Sequence, residues 1–329
     1  MKVLVTGGAG FIGRHLISVL LKEGHSVRCL THSNSAIDLQ AQGVEIVKGD
    51  ITDPDSIRNI ADSIDVVYHL ASSGHVGANT DAAYKEFRHV NVIGLRNLID
   101  EVVERSRISR LVHFSSTAAM GLIEGEANEE SVCRPQTPYQ RTKYEAEEIL
   151  RRKFHRDGLP VVILRPSMVY GPGDRNQEFL AMCKMVKKGR FPLSSTSEGL
   201  TPLVHVDDVA QAAMLAKTRG REGQTYIITA DRSYSIHELI DVIASTLGVS
   251  RGGIEIPNWT MEVAAVVCEI GSKAFGSQPA LTRRRLKSIL ADRSFDISKA
   301  VKELGYAPRT SLRDGVADVI SWYKSQGRL

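Results

Sequence analysis

The chain has 329 residues, 42% of them hydrophobic and 24% charged. That is enough for one large domain or two joined parts around a sizeable core, with the composition of an ordinary globular protein. The formal net charge of +4, with acids and bases interleaved, is too small and dispersed to indicate a nucleic-acid partner. Cys29, Cys133, Cys183 and Cys268 form no CxxC or Cys/His cluster, which argues against a zinc site. Free thiols in a reducing cytoplasm are expected. No basic stretch with an apolar core precedes the first strand, so no signal peptide is expected.

The spacing predicts a buried strand over 2–6, a glycine turn, and a helix over 11–22 that Gly24 stops. Strands follow at 26–31 and 44–48. Pro54 is placed to open a helix, where its missing N–H costs nothing. A fourth strand is predicted at 65–70, a long helix at 81–106, a fifth strand at 110–115, a helix at 137–154 and a sixth strand at 161–165. Strands and helices alternating in this way indicate an α/β fold with a doubly wound parallel sheet.

After Pro166 the pattern loosens. A strand-into-helix is predicted at 204–216, a strand at 224–229 and a helix at 236–247. The expected division is a dinucleotide-binding domain over 1–165 and a smaller, irregular α/β part over 166–329. The second part would mainly bind substrate, and some of its segments would return to the first. The apolar stretch 261–275 is interrupted by Glu262, Glu269 and Lys273 and is too short to span a bilayer. It reads as a substrate-domain helix, with a helix lying on a membrane surface as the alternative.

Between the first strand and helix stands Thr6-Gly7-Gly8-Ala9-Gly10-Phe11-Ile12-Gly13. Glycines at 7, 10 and 13 suit a tight turn, bare backbone N–H groups for a pyrophosphate, and close packing of helix on strand. Lying between a strand and a helix, the pattern indicates a Rossmann-type dinucleotide site. An acid at the end of the second strand would select NAD. Thr31 and His32 stand there instead, and Arg28 and His32 add positive charge, so NADP is favoured over NAD. Asp50 is a candidate for the adenine amino group, its other role being to cap the next helix.

Tyr139 and Lys143 form a YxxxK pair, one helical turn apart on one face. An ammonium beside a phenol favours the phenolate and lowers its pKa. Such a Tyr can exchange a proton with a substrate oxygen while hydride moves at a nicotinamide. Ser115-Ser116-Thr117 ends the fifth strand, at the sheet edge where ligands sit in this architecture.

Taken together, these pieces resemble the extended short-chain dehydrogenase/reductase family. Further matches are Gly49-Asp50, His69-Leu70-Ala71, Asn91-Val92-Ile93-Gly94, Arg165-Pro166-Ser167-Met168-Val169-Tyr170-Gly171, His205-Val206-Asp207-Asp208 and the segment 299–306. The resemblance covers nearly the whole chain. It implies a catalytic set of Thr117, Tyr139 and Lys143, with Asn91 steadying the site. It implies cofactor contacts from the glycine turn, Ile51, Leu70, Ala71, Ser115 and the Arg165-Pro166 segment.

Ala118-Ala119 stand where sugar-nucleotide dehydratases of the family carry Asp-Glu, which argues against dehydration. Thr201 stands where many epimerases carry a diphosphate-binding Arg. Arg175, Arg190 and the arginines at 283–285 are the replacements on offer. The expected function is therefore an NAD(P)-dependent oxidoreductase acting on a secondary alcohol or ketone, a small-molecule substrate. The alternative is a nucleotide-sugar 4-epimerase using the same Thr, Tyr and Lys. A homodimer through the 81–106 and 137–154 helices is expected from the resemblance.

Overall fold

Val3, Leu4 and Val5 expose no surface, as a near-continuous apolar strand does when helices cover both faces of a parallel sheet. In the computed structural model, which describes residues 1–32, 36–74, 79–105, 107–174, 177–195, 199–274 and 283–329, this segment is β1 (Lys2–Thr6). The main sheet continues with β2 (Ser26–Thr31), β3 (Glu45–Lys48), β4 (Val66–His69), β5 (Arg110–Phe114), β6 (Val161–Pro166) and β7 (Thr225–Ile228). The spatial order is β7-β6-β5-β4-β1-β2-β3, and every pair is parallel. The chain leaves β1 for β2 on one side and returns to β4 on the other. Ligands bind at such a reversal, outside the carboxyl ends of the strands.

Each face of the sheet carries a core. On one side Leu16, Ile17 and Leu20 of the helix Phe11–Lys22 pack with Val209, Ala212 and Ala213 of the helix Val206–Arg219. On the other side Leu95, Leu98 and Ile99 pack with Ala146, Ile149 and Leu150. A third core gathers Phe179, Leu180, Ile240, Ile243, Val316 and Ile320 beyond the sheet. β7 comes from the second half of the chain and closes one edge of the main sheet.

Local chemistry explains most boundaries. The helix Pro138–Asp157 begins on a reciprocal cap between Thr137 and Gln140 and ends at Gly158, which adopts the left-handed conformation (φ 68°). Ser235 caps the helix Ile236–Leu247 one way only, its hydroxyl accepting from the Glu238 amide.

Two expectations need correction. Residues 51–63 do not form a helix after Pro54. Their amides bond three residues back in successive turns, and Asn59 and Ser63 adopt positive φ (65° and 60°), which a right-handed helix does not tolerate. The helix expected at 81–106 is interrupted by a wider π-helical turn at His89–Gly94, between the α-helices Asp81–Arg88 and Leu95–Arg105. Residues 106 and 275, expected helix ends, lie outside the described residues. Among the described residues no helix is long and apolar enough to cross a membrane.

Candidate active site

The glycine turn is built by contacts that leave no room for side chains. A Cβ on Gly7, whose φ is +72°, would lie 2.6 Å from the Ala71 amide nitrogen. The turn after β1 therefore packs backbone to backbone on the loop after β4. A Cβ on Gly13 would lie 2.4 Å from the Gly7 carbonyl oxygen. Gly8 is equally tight, against the Cys29 sulfur and Ile17. Gly10 caps the helix Phe11–Lys22 without a side-chain hydrogen bond, and Phe11 and Ile12 stand half-buried in its first turn. Its first-turn amides thus have no side-chain cap, as a pyrophosphate site requires. This cradle fits a dinucleotide.

At the outer end of that cradle Thr31 is buried and the His32 side chain is 80% exposed. His32 Nε2 lies 3.9 Å from an Asp50 carboxylate oxygen. The other Asp50 oxygen accepts from the Thr52 amide and hydroxyl, and these bonds hold the carboxyl below its ordinary range. Ile51 is buried against Gly94. Arg28, expected to add charge here, is turned away. It donates to Glu45 at 2.8 Å and to the Ile60 carbonyl at 2.8 Å.

At the inner end three segments meet. The loop after β4 carries Leu70, Ala71, Ser73 and Gly74. A short 3-10 turn, Thr117–Met120, follows β5. The helix Pro138–Asp157 brings Tyr139 and Lys143. Lys143 Nζ lies 5.9 Å from the centre of the Tyr139 ring and donates to the Phe114 carbonyl at 3.0 Å. Gly74 supports the ring from below: a Cβ there would lie 2.6 Å from Tyr139 Cδ2.

Burial pushes the Tyr139 phenol up to about 12, and the facing Ser116 hydroxyl only partly opposes it. Burial also brings the Lys143 ammonium down to about 8. The expected lowering of the phenol is therefore reversed here, because the ammonium is bonded to a carbonyl and desolvation dominates.

The hydroxyl that faces Tyr139 is that of Ser116, one residue before Thr117. Ser116 Oγ also accepts from the Ala118 amide and so opens the turn. Ser115 is not directed at a ligand, since its hydroxyl donates to the buried Glu147 at 2.5 Å. Arg165 is likewise withdrawn. It is 1% exposed and forms a two-point ion pair with Glu147, at 2.9 and 2.6 Å. The strand alternation that buries Ile163 on the helix side directs Arg165 there too. Pro166 ends β6, where the following Ser167 amide bonds to β7.

Glu147 lies one turn beyond Lys143 on the same helix, and it anchors both β5 and β6 to that helix. Burial would raise its carboxyl, but Arg165 and Arg151 bring it below the ordinary range. Neither Glu147 nor Gly74 was legible as a site residue from spacing.

Asn91 is 3% exposed in the π-helical turn. It accepts from the Ser73 amide at 2.7 Å and donates to the Ser73 carbonyl at 2.8 Å and the Thr142 hydroxyl at 3.0 Å. One side chain thus ties the loop after β4 to the helix bearing Tyr139. Beneath this point His69 and His113 stack with ring centres 5.2 Å apart. Burial holds His69 near 3 and His113 well below its ordinary value.

Thr201 is buried and pairs with Tyr234 in a short two-stranded ribbon. Of the arginines that might replace a diphosphate-binding Arg, Arg175 lies outside the described residues.

The chain is 29% identical to Sterol demethylase protein B of Methylococcus capsulatus, over the whole of both chains. It is 29% identical to the 4-hydroxy-2-methyl-3-oxo-4-farnesyl-3,4-dihydroquinoline-1-oxide ketoreductase of Stigmatella aurantiaca, over 96% of this chain and 95% of that protein. It is 28% identical to 3beta-hydroxysteroid-dehydrogenase/decarboxylase isoform 2 of Arabidopsis thaliana, over 96% of this chain but 61% of that protein's length. Among solved structures, the crystal structure of gox2253 superposes with a TM-score of 0.83 at 29% identity, covering 100% of this chain and 99% of that one. A model of the NAD dependent epimerase/dehydratase family matches residues 3–229, more than half of the chain, and the chain belongs to that family.

Proposed function

We propose that this enzyme is an NAD(P)-dependent oxidoreductase that interconverts a secondary alcohol and its ketone, with Tyr139 as the proton-transfer group. The observation that carries the reading is the Tyr139 phenol facing the Ser116 hydroxyl, with Lys143 one turn along and the glycine cradle beside them. A bound nicotinamide dinucleotide would supply or accept the hydride. Gly7, Gly10, Phe11, Ile12 and Gly13 would hold its pyrophosphate, Thr31, His32, Asp50 and Ile51 its adenosine end, and Leu70, Ala71 and Lys143 its nicotinamide end.

The chemistry of the side chains follows from their environment. A phenol at about 12 keeps its proton at neutral pH and can give it to a carbonyl oxygen as that oxygen gains charge. Ser116 holds the same oxygen by hydrogen bonding, the role first expected of Thr117. The Lys143 ammonium stabilises the phenolate left behind. Asn91 acts through others: it positions Tyr139 by fixing Thr142 and Ser73. Ala118 and Ala119 offer no acid for water loss, which supports simple redox over dehydration.

An apolar substrate would find contacts in the half-buried Leu122 and Ile123, which follow the 117–120 turn. The printed names of the relatives point the same way, toward sterol and farnesylated substrates. NADP(H) is favoured because the end of β2 holds Thr31 and His32 and no acid. A homodimer through the outer faces of the 81–105 and 138–157 helices belongs to the same proposal.

The test is absorbance at 340 nm with NADPH or NADH and a panel of alicyclic and long-chain ketones. Turnover with the looser-bound cofactor is expected. Retained NAD, no net absorbance change and a thermal shift with UDP would instead favour the nucleotide-sugar 4-epimerase.

A further inference from the structure

The loop that follows the short strand Met168–Tyr170 packs beside the glycine cradle. A Cβ on Gly171 would lie 2.4 Å from Val206 Cγ1, and a Cβ on Gly173 would lie 3.7 Å from Phe11 Cδ2 and 4.0 Å from His15 Nε2. Residues 171–174 therefore run from the start of the helix Val206–Arg219 to the first turn of the helix Phe11–Lys22. That turn is the one whose amides have no side-chain cap. A dinucleotide seated on those amides would have this loop as its neighbour.

His15, one turn along from Phe11, ties the loop to the helix. Its Nε2 lies 2.9 Å from the Pro172 carbonyl oxygen and its Nδ1 lies 2.6 Å from an Asp207 carboxylate oxygen. The ring also meets Phe11 edge to face, with centres 5.8 Å apart. A carbonyl and a carboxylate only accept, so both contacts are hydrogen bonds only when both ring nitrogens carry hydrogen. A neutral ring carries one hydrogen and turns a lone pair toward either the carbonyl or the carboxylate.

The charged groups around the ring come from several elements. Burial lowers the His15 pKa, but the bonds to Asp207 and Pro172 and the charges of Asp207 and Asp318 raise it above its ordinary value. Asp318 belongs to the helix Leu312–Ser325. His205 stays neutral, since burial lowers its own pKa, and its Nδ1 accepts from the Asp207 amide at 3.4 Å. Asp208 is taken up by the amides of Arg309 and Thr310. On the helix that bears His15, Lys22 acts on Asp207 and Arg14 pairs with Asp38. Asp174 ends the loop, its amide bonded to the Gly171 carbonyl at 3.3 Å.

We propose that His15 is a positioning residue for the dinucleotide: as an imidazolium it latches the 171–174 loop beside the cradle, and loss of its proton opens the latch and speeds release of the cofactor. The latch is complete below the ordinary histidine range and is lost as pH rises through the raised folded value. It needs only the cradle and goes beyond the alcohol–ketone reading.

The test follows release of bound NADPH, and separately NADH, by fluorescence after a chase with excess oxidised dinucleotide, from about pH 6 to about pH 9. For the unaltered protein, release should quicken about tenfold across this range, the weight of one charge-assisted hydrogen bond. His15→Gln should release quickly at every pH, so that its rate and that of the unaltered protein converge as pH rises. Asp207→Asn gives a second arm. Its amide can donate to Nδ1 while Nε2 still donates to Pro172, so a neutral ring keeps both contacts and slow release should persist to high pH. Lys143, held at about 8, and the exposed His32 also belong to the cofactor site, but all three proteins share them. A ratio between His15→Gln and the unaltered protein that stays constant with pH, as a merely structural loss would give, overturns the proposal. So does a rise in Asp207→Asn equal to that of the unaltered protein. No step requires turnover, so failure here is distinguishable from failure of the proposed chemistry.

Discussion

A phenol held at about 12 beside an ammonium held at about 8 suits the proton donor of the proposed ketone reduction, and the hydroxyl next to it would decide where the carbonyl oxygen can sit. That hydroxyl belongs to Ser116. Replacing one hydrogen-bond donor to a developing oxyanion costs about 10²-fold in turnover. Ser116→Ala should show a loss of that order and Thr117→Ala a rate close to the unaltered enzyme. The reverse ranking in steady-state kinetics would return the role to Thr117. The sequence reading named Thr117 where the structure turns Ser116 toward Tyr139, because spacing located the strand end but not which face each hydroxyl takes. A shift of one position at a strand end reverses the side chain's direction.

The stacked histidines make a second residue-scale prediction. His69 is neutral in the folded chain down to about pH 3, whereas an unfolded histidine takes up a proton near 6.5. Stability is therefore lost as pH falls from 6.5 toward 3, by about 1.4 kcal/mol per pH unit for one such group. Urea unfolding at several pH values should show this slope, and His69→Gln should reduce it. An equal slope in the variant would count against the buried neutral ring.

Elements are positioned here by pairs of buried groups as much as by propensity. Glu147, with no exposed surface, joins the helix Pro138–Asp157 to β5 through Ser115 and to β6 through Arg165. Removing one partner of a buried ion pair leaves the other charge uncompensated and costs about 3–5 kcal/mol. Glu147→Gln should lower the unfolding temperature clearly while the purified protein still binds dinucleotide. An unchanged melting curve would show that the pair is not structural.

Several elements were legible from spacing alone. β1, the helix Phe11–Lys22 and the helix Ile236–Leu247 begin and end where predicted, because glycines, caps and a clean apolar period coincide there. Residues 51–63 misled because Ile57, Ile60, Ala61 and Ile64 bury with helix-like spacing on a chain of turns. The π-helical turn has no comparable sequence signal. Its consequence, Asn91 facing Ser73 and Thr142, was therefore visible only as family resemblance.

Across the whole molecule, His15 joins three parts of the chain. Its Nδ1 lies 2.6 Å from an Asp207 carboxylate oxygen and its Nε2 lies 2.9 Å from the Pro172 carbonyl. Both partners only accept, so both ring nitrogens carry hydrogen and the ring is a cation. Burial alone would lower its pKa, but these two bonds and the nearby carboxylates raise it. The stabilisation is then complete below pH 6.5 and is lost as pH rises through the raised folded value. Unfolding temperatures should decline over that interval, and His15→Gln should remove the decline. A pH-independent melting curve above 6.5 would contradict the bridge.

The second half of the chain was less readable, since its third core and the helix Leu312–Ser325 are assembled from segments far apart in sequence. In the proposed reading substrate choice depends on that half, whereas Tyr139 lies in the first. The most direct test is therefore Tyr139→Phe, assayed at 340 nm on a ketone that the unaltered enzyme reduces and paired with dinucleotide titration. The account predicts a fall in turnover of about 10²–10⁴-fold with cofactor affinity unchanged. Turnover equal to that of the unaltered enzyme would contradict it.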